Sequence, residues 1–374
     1  MNLITYQASH FNERLRVDSR FQLYSSIYTL FDDQNIGLND RTRRIIFPIK
    51  TYVPDNFLVP TYKGISLSFK ECCASRVKEI IHKHTQENLP IKLMYSGGID
   101  STAVLCAFID YLGLEQASKK ITIIMSKESI DENPVMWYNF IRPYFTVENS
   151  SFSYNENDIG NWCYLTGELN DQLFGSDIQQ DVSNWGGNSF LNNELSQGLI
   201  VDYLEKGRNL SRVEAEVWAS VFVDNLKSCP NHGNKVWDLF WWYNFTWKWI
   251  YVYYRIFLFS NIKNLNKHWV DNSYFPFFDT PEFQLWSIHN NEEKHLGSWE
   301  TYKYTAKKYI CSVMKNNDYM QKTKKQSLRN ILFLRPRNRC LDENYNIHMN
   351  SMIDFESVIN NDHTVLEYAT KLGI

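Results

Sequence analysis

No block of basic charge, no paired-cysteine motif and no leader-like start mark this chain of 374 residues, and each absence closes a class of function. Lys and Arg number 39 against 42 Asp and Glu, for a formal charge of -3, with both signs spread along the chain. A nucleic-acid or anionic-membrane partner therefore has no electrostatic footprint to use. The seven cysteines, at 72, 73, 106, 163, 229, 311 and 340, include no Cys-x-x-Cys pair. That scatter suits reduced thiols in a cytoplasmic chain better than a disulfide frame or a structural zinc site. The start Met1-Asn2-Leu3-Ile4-Thr5-Tyr6 lacks a basic segment followed by an apolar run, so no signal peptide is expected.

One stretch is long enough to suggest a bilayer span. Trp237 to Phe259 carries Trp241, Trp242, Trp247, Trp249 and many Tyr and Phe. It also carries Asn244, Lys248 and Arg255, and each central Lys or Arg would cost ~2.5–3.5 kcal/mol on insertion, while Trp and Tyr prefer interfaces. A helix buried inside the protein is the expectation, with no membrane contact.

The most informative segment is Ile91-Lys-Leu-Met94-Tyr95-Ser96-Gly97-Gly98-Ile99-Asp100-Ser101-Thr102. A short apolar run predicts a buried strand, Ser-Gly-Gly a tight turn, and Asp100-Ser101-Thr102 the opening of a helix whose apolar face continues through Val104, Leu105 and Phe108. Such a turn makes an anion site: glycines admit close backbone approach, and the free N–H groups and dipole of the helix point at the negative charge. Ser96, Ser101 and Thr102 add hydroxyl donors. It is not a Walker A loop, because the lysine is absent and an aspartate stands in the turn. Ser96-Gly-Gly-Ile-Asp-Ser101 instead resembles the pyrophosphate loop of the ATP pyrophosphatases, which hold ATP by its outer phosphates and cleave between α and β.

The length allows two or three compact units. Residues 1–65 mix short aromatic and β-branched runs with Asp, Asn and Pro punctuation and predict a small β-containing region. Ser68-Phe-Lys-Glu71 has the form of a capping box, followed by helical spacing to His84. His82 and His84 do not share a helix face and read as surface residues. Lys120 to Ser126 predicts a second buried strand in parallel crossover, ending at Met125. Asp131-Glu-Asn-Pro134 caps an aromatic helix through Tyr144, and 147–162 reads as an irregular surface loop. From about 186 onward the chain reads as helical and aromatic, with breaks at Asn184-Trp-Gly-Gly, Pro230-Asn-His-Gly and Asp271-Asn-Ser. Cys229-Pro-Asn-His232 reads as a turn, since a metal site would need a second pair nearby.

A second stretch, Thr166-Gly167-Glu168-Leu-Asn-Asp171-Gln172-Leu-Phe-Gly175, sets two acids three apart. If the segment turns helically after Gly167, both carboxylates share a face, suited to holding a divalent cation and leaving a base for proton transfer. With Ser96–Ser101, it resembles the Ser-Gly-Glu-Gly-x-Asp-Glu-Leu-Phe-Gly-Gly segment of the asparagine synthetase family. Phe275-Pro-Phe-Phe-Asp279 resembles that family's Val-Pro-Phe-Leu-Asp signature, and Lys325-Gln-Ser-Leu-Arg329 its Lys-x-x-x-Arg helix, in the same order. Lys322 and Lys324 join Lys325 and Arg329 in one basic cluster.

The resemblance covers about residues 68–340 and implies an α/β fold with a doubly wound parallel sheet of the ATP-pyrophosphatase type. It divides the chain into an α/β core at about 66–185, a helical part at about 186–340 and a C-terminal extension at 341–374. It implies an ATP-dependent, AMP- and pyrophosphate-forming amide ligase. ATP would meet Ser96, Gly97, Gly98, Asp100, Ser101, Thr102, Met94, Met125 and Gly167, Asp100 and Asp171 would hold Mg2+, Lys325 would reach the pyrophosphate, and Glu168 would assist the nitrogen nucleophile. Asn2 stands where glutamine-dependent members carry a cysteine nucleophile, so ammonia from a separate glutaminase, free ammonia, or an amine on the substrate is expected, with a small-molecule or peptide carboxylate as acceptor. Gln172 replaces the family's second acid, Leu169 and Asn170 replace small residues, and Ser176 replaces the last glycine. Two alternatives stay open: a nucleobase-modifying member of the same superfamily, and a nucleotide-binding assembly protein without turnover.

Overall fold

The apolar runs ending at Met94 and Thr166 stop at turns that contain Gly97 and Gly167. The strands are Leu3–Tyr6 (β1), Ile91–Met94 (β2), Ile121–Met125 (β3), Thr146–Asn149 (β4), Cys163–Thr166 (β5), Tyr274–Pro276 (β6), Arg339–Asp342 (β7) and Ile347–Met349 (β8). The helices that matter for the argument are Ser9–Val17 (α1), Phe69–Glu87 (α2), Ile99–Leu112 (α3), Asn170–Phe174 (α4), Asp177–Asn192 (α5), Arg212–Leu226 (α6), Val236–Trp247 (α7), Trp249–Leu258 (α8), Tyr304–Met314 (α9) and Thr364–Lys371 (α10). The computed structural model describes residues 1–27, 36–61, 67–149, 160–175, 177–260, 262–322 and 338–373.

The chain is an α/β protein with a five-stranded parallel sheet in the order β4-β3-β2-β5-β6. β2 and β5 are buried along nearly their whole length, as expected of central parallel strands covered on both faces. The chain adds β3 and β4 on one side of β2, then crosses to add β5 and β6 on the other. The order therefore reverses between β2 and β5. α2 opens with the anticipated capping box, Ser68 and Glu71 bonding reciprocally.

Several expectations change. Thr146–Asn149, expected as part of a surface loop from residue 147, is the exposed edge strand β4, held by parallel pairing to β3; residues 150–159 lie outside the described residues. The break expected at Asp271-Asn-Ser273 does fall at the end of a helix, Lys267–Ser273, which Asn266 opens by capping Trp269. The break expected at Asn184-Trp-Gly-Gly is present: Gly187, with φ 71 and ψ 178, is not helical and separates α5 into two helical stretches. The Trp237–Phe259 stretch is two helices, α7 and α8, separated at Lys248, and both are almost wholly buried. Among the described residues no helix is long and apolar enough to cross a membrane. All seven cysteines are free thiols and all are buried.

The ends of the chain share one small sheet, β1-β7-β8, antiparallel throughout. Residues 1–65 and 341–374, divided in the sequence as separate segments, are thus hydrogen-bonded to each other, and α1 makes the N-terminal region more helical than its β-branched runs suggest. Arg41 ties this region to the helical part. Its buried guanidinium donates to the carbonyls of Phe57 and Phe245 and to Gln284 Oε1, and lies 4.2 Å over the Trp249 ring. Burial pulls its pKa down to about 9 against the attraction of Asp279 and Asp40.

Trp247 is the hub of the aromatic core, with Tyr243 at 4.3 Å, Phe47 at 5.2 Å, Phe222 at 5.7 Å and Trp218 at 6.5 Å between ring centroids. Those partners come from the N-terminal region, α6 and α7, so the ring joins three segments. Trp247→Ala should cost about 3–5 kcal/mol, read as a lower urea midpoint at unchanged slope. A loss below about 1 kcal/mol would mean that the hub is not where these segments cohere.

Candidate functional site

Strand order reversal places the carboxyl ends of β2 and β5 side by side, the position where open parallel sheets present loops to a ligand. β2 leads through Tyr95-Ser96-Gly97-Gly98 into α3, and β5 leads through Gly167-Glu168-Leu169 into α4. Both informative segments of the sequence thus meet at one end of the sheet.

The first loop is built around two backbone requirements. Gly97 has φ +77, and a Cβ there would sit 2.4 Å from the Ser129 carbonyl and 2.9 Å from Glu132 Cβ. Ser101 Oγ caps the turn by accepting from Ser96 N at 3.1 Å, and Gly98 N donates to Ser96 Oγ at 3.3 Å. The first internal bond of α3 is Thr102 N to Gly98 O at 3.0 Å. The N–H groups of Ile99, Asp100 and Ser101 therefore precede the helical ladder and must be met from outside it. Thr102, expected among the outward donors, is turned into the core: its Oγ1 lies 3.1 Å from the Tyr95 hydroxyl and accepts from Asn133 Nδ2 at 3.3 Å. Met94 is half-buried at the end of β2, and Met125 is buried at the end of β3.

The second loop is pressed against the first. A Cβ on Gly167 would lie 2.8 Å from Ser101 N and 3.0 Å from Asp100 Cβ, so only glycine lets the two loops touch. Leu169 takes a left-handed conformation, φ 75, and the helix begins only at Asn170. Glu168 accordingly lies outside the helix that carries Asp171, and the two acids diverge. Asn244 Nδ2 on α7 donates to the Asp171 carbonyl at 2.7 Å, and Trp241 Nε1 to the Leu173 carbonyl at 3.0 Å, which fixes α4 against the aromatic core. Gln172, the substitute for an acid, faces that same helix: its Nε2 lies 3.4 Å from Asn244 Oδ1. Phe277 N donates to the Thr166 carbonyl at 2.9 Å, so the Phe275–Asp279 stretch enters as the neighbour of β5.

Glu168 pairs with Arg255 on α8, Oε2 to Nη2 at 2.5 Å. Burial raises the Glu168 carboxyl above the ordinary glutamate value, and the attraction of Arg255 only partly offsets it, with Asp171 and Asp100 adding to the rise.

Asp100 and Asp171 do come together, but around a cation the chain itself supplies. Lys303 Nζ contacts Oδ1 of Asp100 and lies 2.8 Å from Oδ1 of Asp171. Asn170 Nδ2 donates to the same Asp100 oxygen at 2.7 Å, and the Tyr302 hydroxyl to the same Asp171 oxygen. The Lys303 side chain is 4% exposed, whereas the two carboxylates keep 28% and 37%. Burial opposes the charge on Lys303, yet the pull of Asp100 and then Asp171 outweighs it and holds the ammonium above the ordinary lysine value. Magnesium demands near-octahedral oxygen coordination at short range. The facing oxygens already hold an ammonium, and each unit of like charge about 4 Å away would repel it by roughly 4 kcal/mol near a protein surface. As arranged, the pair does not fit a divalent ion between its inner oxygens.

Lys303 stands in the Trp299-Glu-Thr-Tyr-Lys303 segment before α9, and nothing in its sequence surroundings distinguishes it from other lysines. Arg255 entered the sequence reading only as a charge within an aromatic stretch. Lys325, expected at the pyrophosphate, and Arg329 lie outside the described residues. Lys322 pairs with Glu132 at 3.0 Å, beside the floor of the Gly97 turn. Among the described residues no group of three or more His, Cys, Asp or Glu could hold a metal. A cavity of about 450 Å³ between Tyr52, Leu265, Lys267 and Tyr345 is lined by none of the candidate residues.

An aromatic stack leads from Tyr302 into the helical part: Tyr302 to Trp299 at 4.4 Å, Trp299 to Trp237 at 6.3 Å, and Trp237 to His295 at 3.9 Å. Burial, with Lys294 and Lys235 nearby, drives the His295 pKa down to about 3.

A scan against protein-family models, a search of curated proteins and a search of solved structures each return no match.

Two outcomes follow from this geometry. Gly167→Ala should lower stability by about 1–3 kcal/mol through overpacking, and a urea melt as stable as that of the native chain would disprove the contact between the loops. The unfolded chain takes up a proton at His295 near pH 6.5 that the folded chain refuses down to about 3, so stability drains as pH falls through that window. His295→Phe should make the urea midpoint less acid-sensitive than native between pH 7 and 4; parallel pH profiles would reject the assignment.

Proposed function

We propose that the chain is an ATP-dependent, AMP- and pyrophosphate-forming amide ligase of the asparagine synthetase-like, ATP-pyrophosphatase type. The observation that carries this reading is the meeting of the Ser96–Ser101 turn with Gly167, Glu168 and Asp171 at the reversal point of a parallel sheet. The turn presents N–H groups at the start of α3 and the half-buried Ser96 hydroxyl as donors for the outer phosphates of a nucleotide, while the buried Ser101 hydroxyl is spent within the turn on the Gly98 carbonyl. ATP enters as its magnesium complex, the ion carried on the phosphates as part of the substrate.

A substrate carboxylate oxygen attacks the α-phosphorus, the bond to the bridging oxygen breaks, and pyrophosphate leaves. Charge growing on that leaving group is met by the α3 amides and the fixed ammonium of Lys303, which Asp100 and Asp171 hold in position. Ammonia or an amine then attacks the acyl carbon, AMP departs, and the nitrogen loses a proton. Glu168 is the base for that proton, its basicity raised by burial while Arg255 holds its direction.

One observation favours a second reading, nucleotide binding without turnover: Lys303 already occupies the facing oxygens of the carboxylate pair and offsets half of its charge. Incubation with ATP labelled at the α-phosphate, magnesium, ammonium and a panel of carboxylic acids separates the two. The ligase reading expects labelled AMP that depends on one acid. Tight ATP binding with no AMP from any acid would favour the second. Within the ligase reading, Asp100→Asn should slow pyrophosphate release about 100-fold or more, the size of loss typical for an electrostatic group. Glu168→Gln should leave pyrophosphate release nearly intact and slow amide formation about 100-fold or more, and equal loss of both steps would remove Glu168 from the base role.

A further inference from the structure

Two carboxylates delivered to one point by separate loops normally await a metal ion. Here the segment before α9 delivers an ammonium to that point, and the delivery is over-determined. Lys303 has a left-handed backbone, φ 57, a conformation that costs a non-glycine residue energy and persists only where the surroundings impose it. The preceding Tyr302 is stacked on Trp299 and bonds both Asp171 and the Gly175 carbonyl, the latter at 3.3 Å. The following helix packs its buried Ala306, Tyr309 and Ile310 side into the core next to α3, and Tyr309 donates to Asp110 on α3 at 3.2 Å. Lys303 is thus clamped on both sides, with its side chain sealed from water on all but a few per cent of its surface.

A second observation concerns Asn170. Its side chain is fully buried, its Nδ2 is spent on Asp100, and its Oδ1 has no partner among the described residues. A half-turn of that amide would exchange its nitrogen for its oxygen beside Asp100, the ligand a hard cation would add to the carboxylates. Oxygens for a divalent site are therefore at hand, and Lys303, whose ammonium meets both carboxylates, is the charge that contradicts such a site.

We infer that Lys303 is the resident cation of the Asp100–Asp171 pair and bars a divalent ion from between them, so that its removal would uncover a metal site made of Asp100, Asp171 and Asn170. The inference stands without the ligase reading, since it concerns the protein free of nucleotide. It also differs from what the resemblance to asparagine synthetases implies, in which the same two acids are the magnesium ligands.

The test is a Mn2+ titration of the full chain without nucleotide, followed by electron paramagnetic resonance of the free ion. Native protein should bind no stoichiometric Mn2+ at the pair up to about 1 mM, a range in which a site worth roughly 4 kcal/mol would register. Lys303→Gln should gain one site, and the double variant Lys303→Gln with Asp171→Asn should lose it. Lys303→Arg, which keeps the charge, should remain without a site. If Lys303→Gln does not fold, Lys303→Met is titrated in its place, and the comparison of native with Asp171→Asn needs neither. A native site that Asp171→Asn abolishes would overturn the inference, as would a folded Lys303→Gln or Lys303→Met that gains none. Absence of AMP formation in the turnover assay would count against the ligase reading alone and leave the metal result untouched.

Discussion

The contact of one buried ammonium with two carboxylates is the constraint on which the rest of the site depends. Lys303, Asp100 and Asp171 come from the segment before α9, the first turn of α3 and the short helix α4, three pieces far apart in the chain. Removing the Lys303 charge would leave two half-buried carboxylates facing each other without the cation they share. The triad therefore sets the spacing between the loops after β2 and β5 and anchors the C-terminal helical part to the sheet.

The sheet explains why that spacing is attainable. Parallel strands put every turn that follows them at one end, and reversal of order between β2 and β5 opens a gap there without any strand being distorted. Gly167 then lets the two loops close to contact distance. On the far side, aromatic packing centred on Trp247 and the hydrogen bonds from Asn244 and Trp241 hold α4 by its carbonyl groups. A rigid helical half thus positions a five-residue helix too short to hold its own direction.

Much of this architecture was legible. The apolar run to Met94, the glycine turn and the helix after it appear where their spacing predicts, as do the capped helix from Phe69 and the strand to Met125. Elsewhere local patterns misled. Thr102 reads as a loop hydroxyl, yet helical rotation carries it inward to Tyr95 and Asn133. Thr146–Asn149 reads as irregular because an edge strand exposed on every residue has no buried face to impose alternation. Trp237–Phe259 reads as one helix because burial on all sides erases periodicity, and the break at Lys248 leaves no glycine or proline to announce it.

What the amino-acid order determined alone was the set of local units: a strand, a glycine turn and a helix start around Ser96–Ser101, and a second acidic turn at Glu168–Asp171. Those follow from spacing, glycine geometry and unpaired helical amides, all of which act over a few residues. Only the tertiary structure decided what the acids face. Glu168 turns to Arg255 and Asp171 to Lys303, partners drawn from distant helices, because the charge balance of a buried site is settled by whichever segments packing brings within a few ångströms.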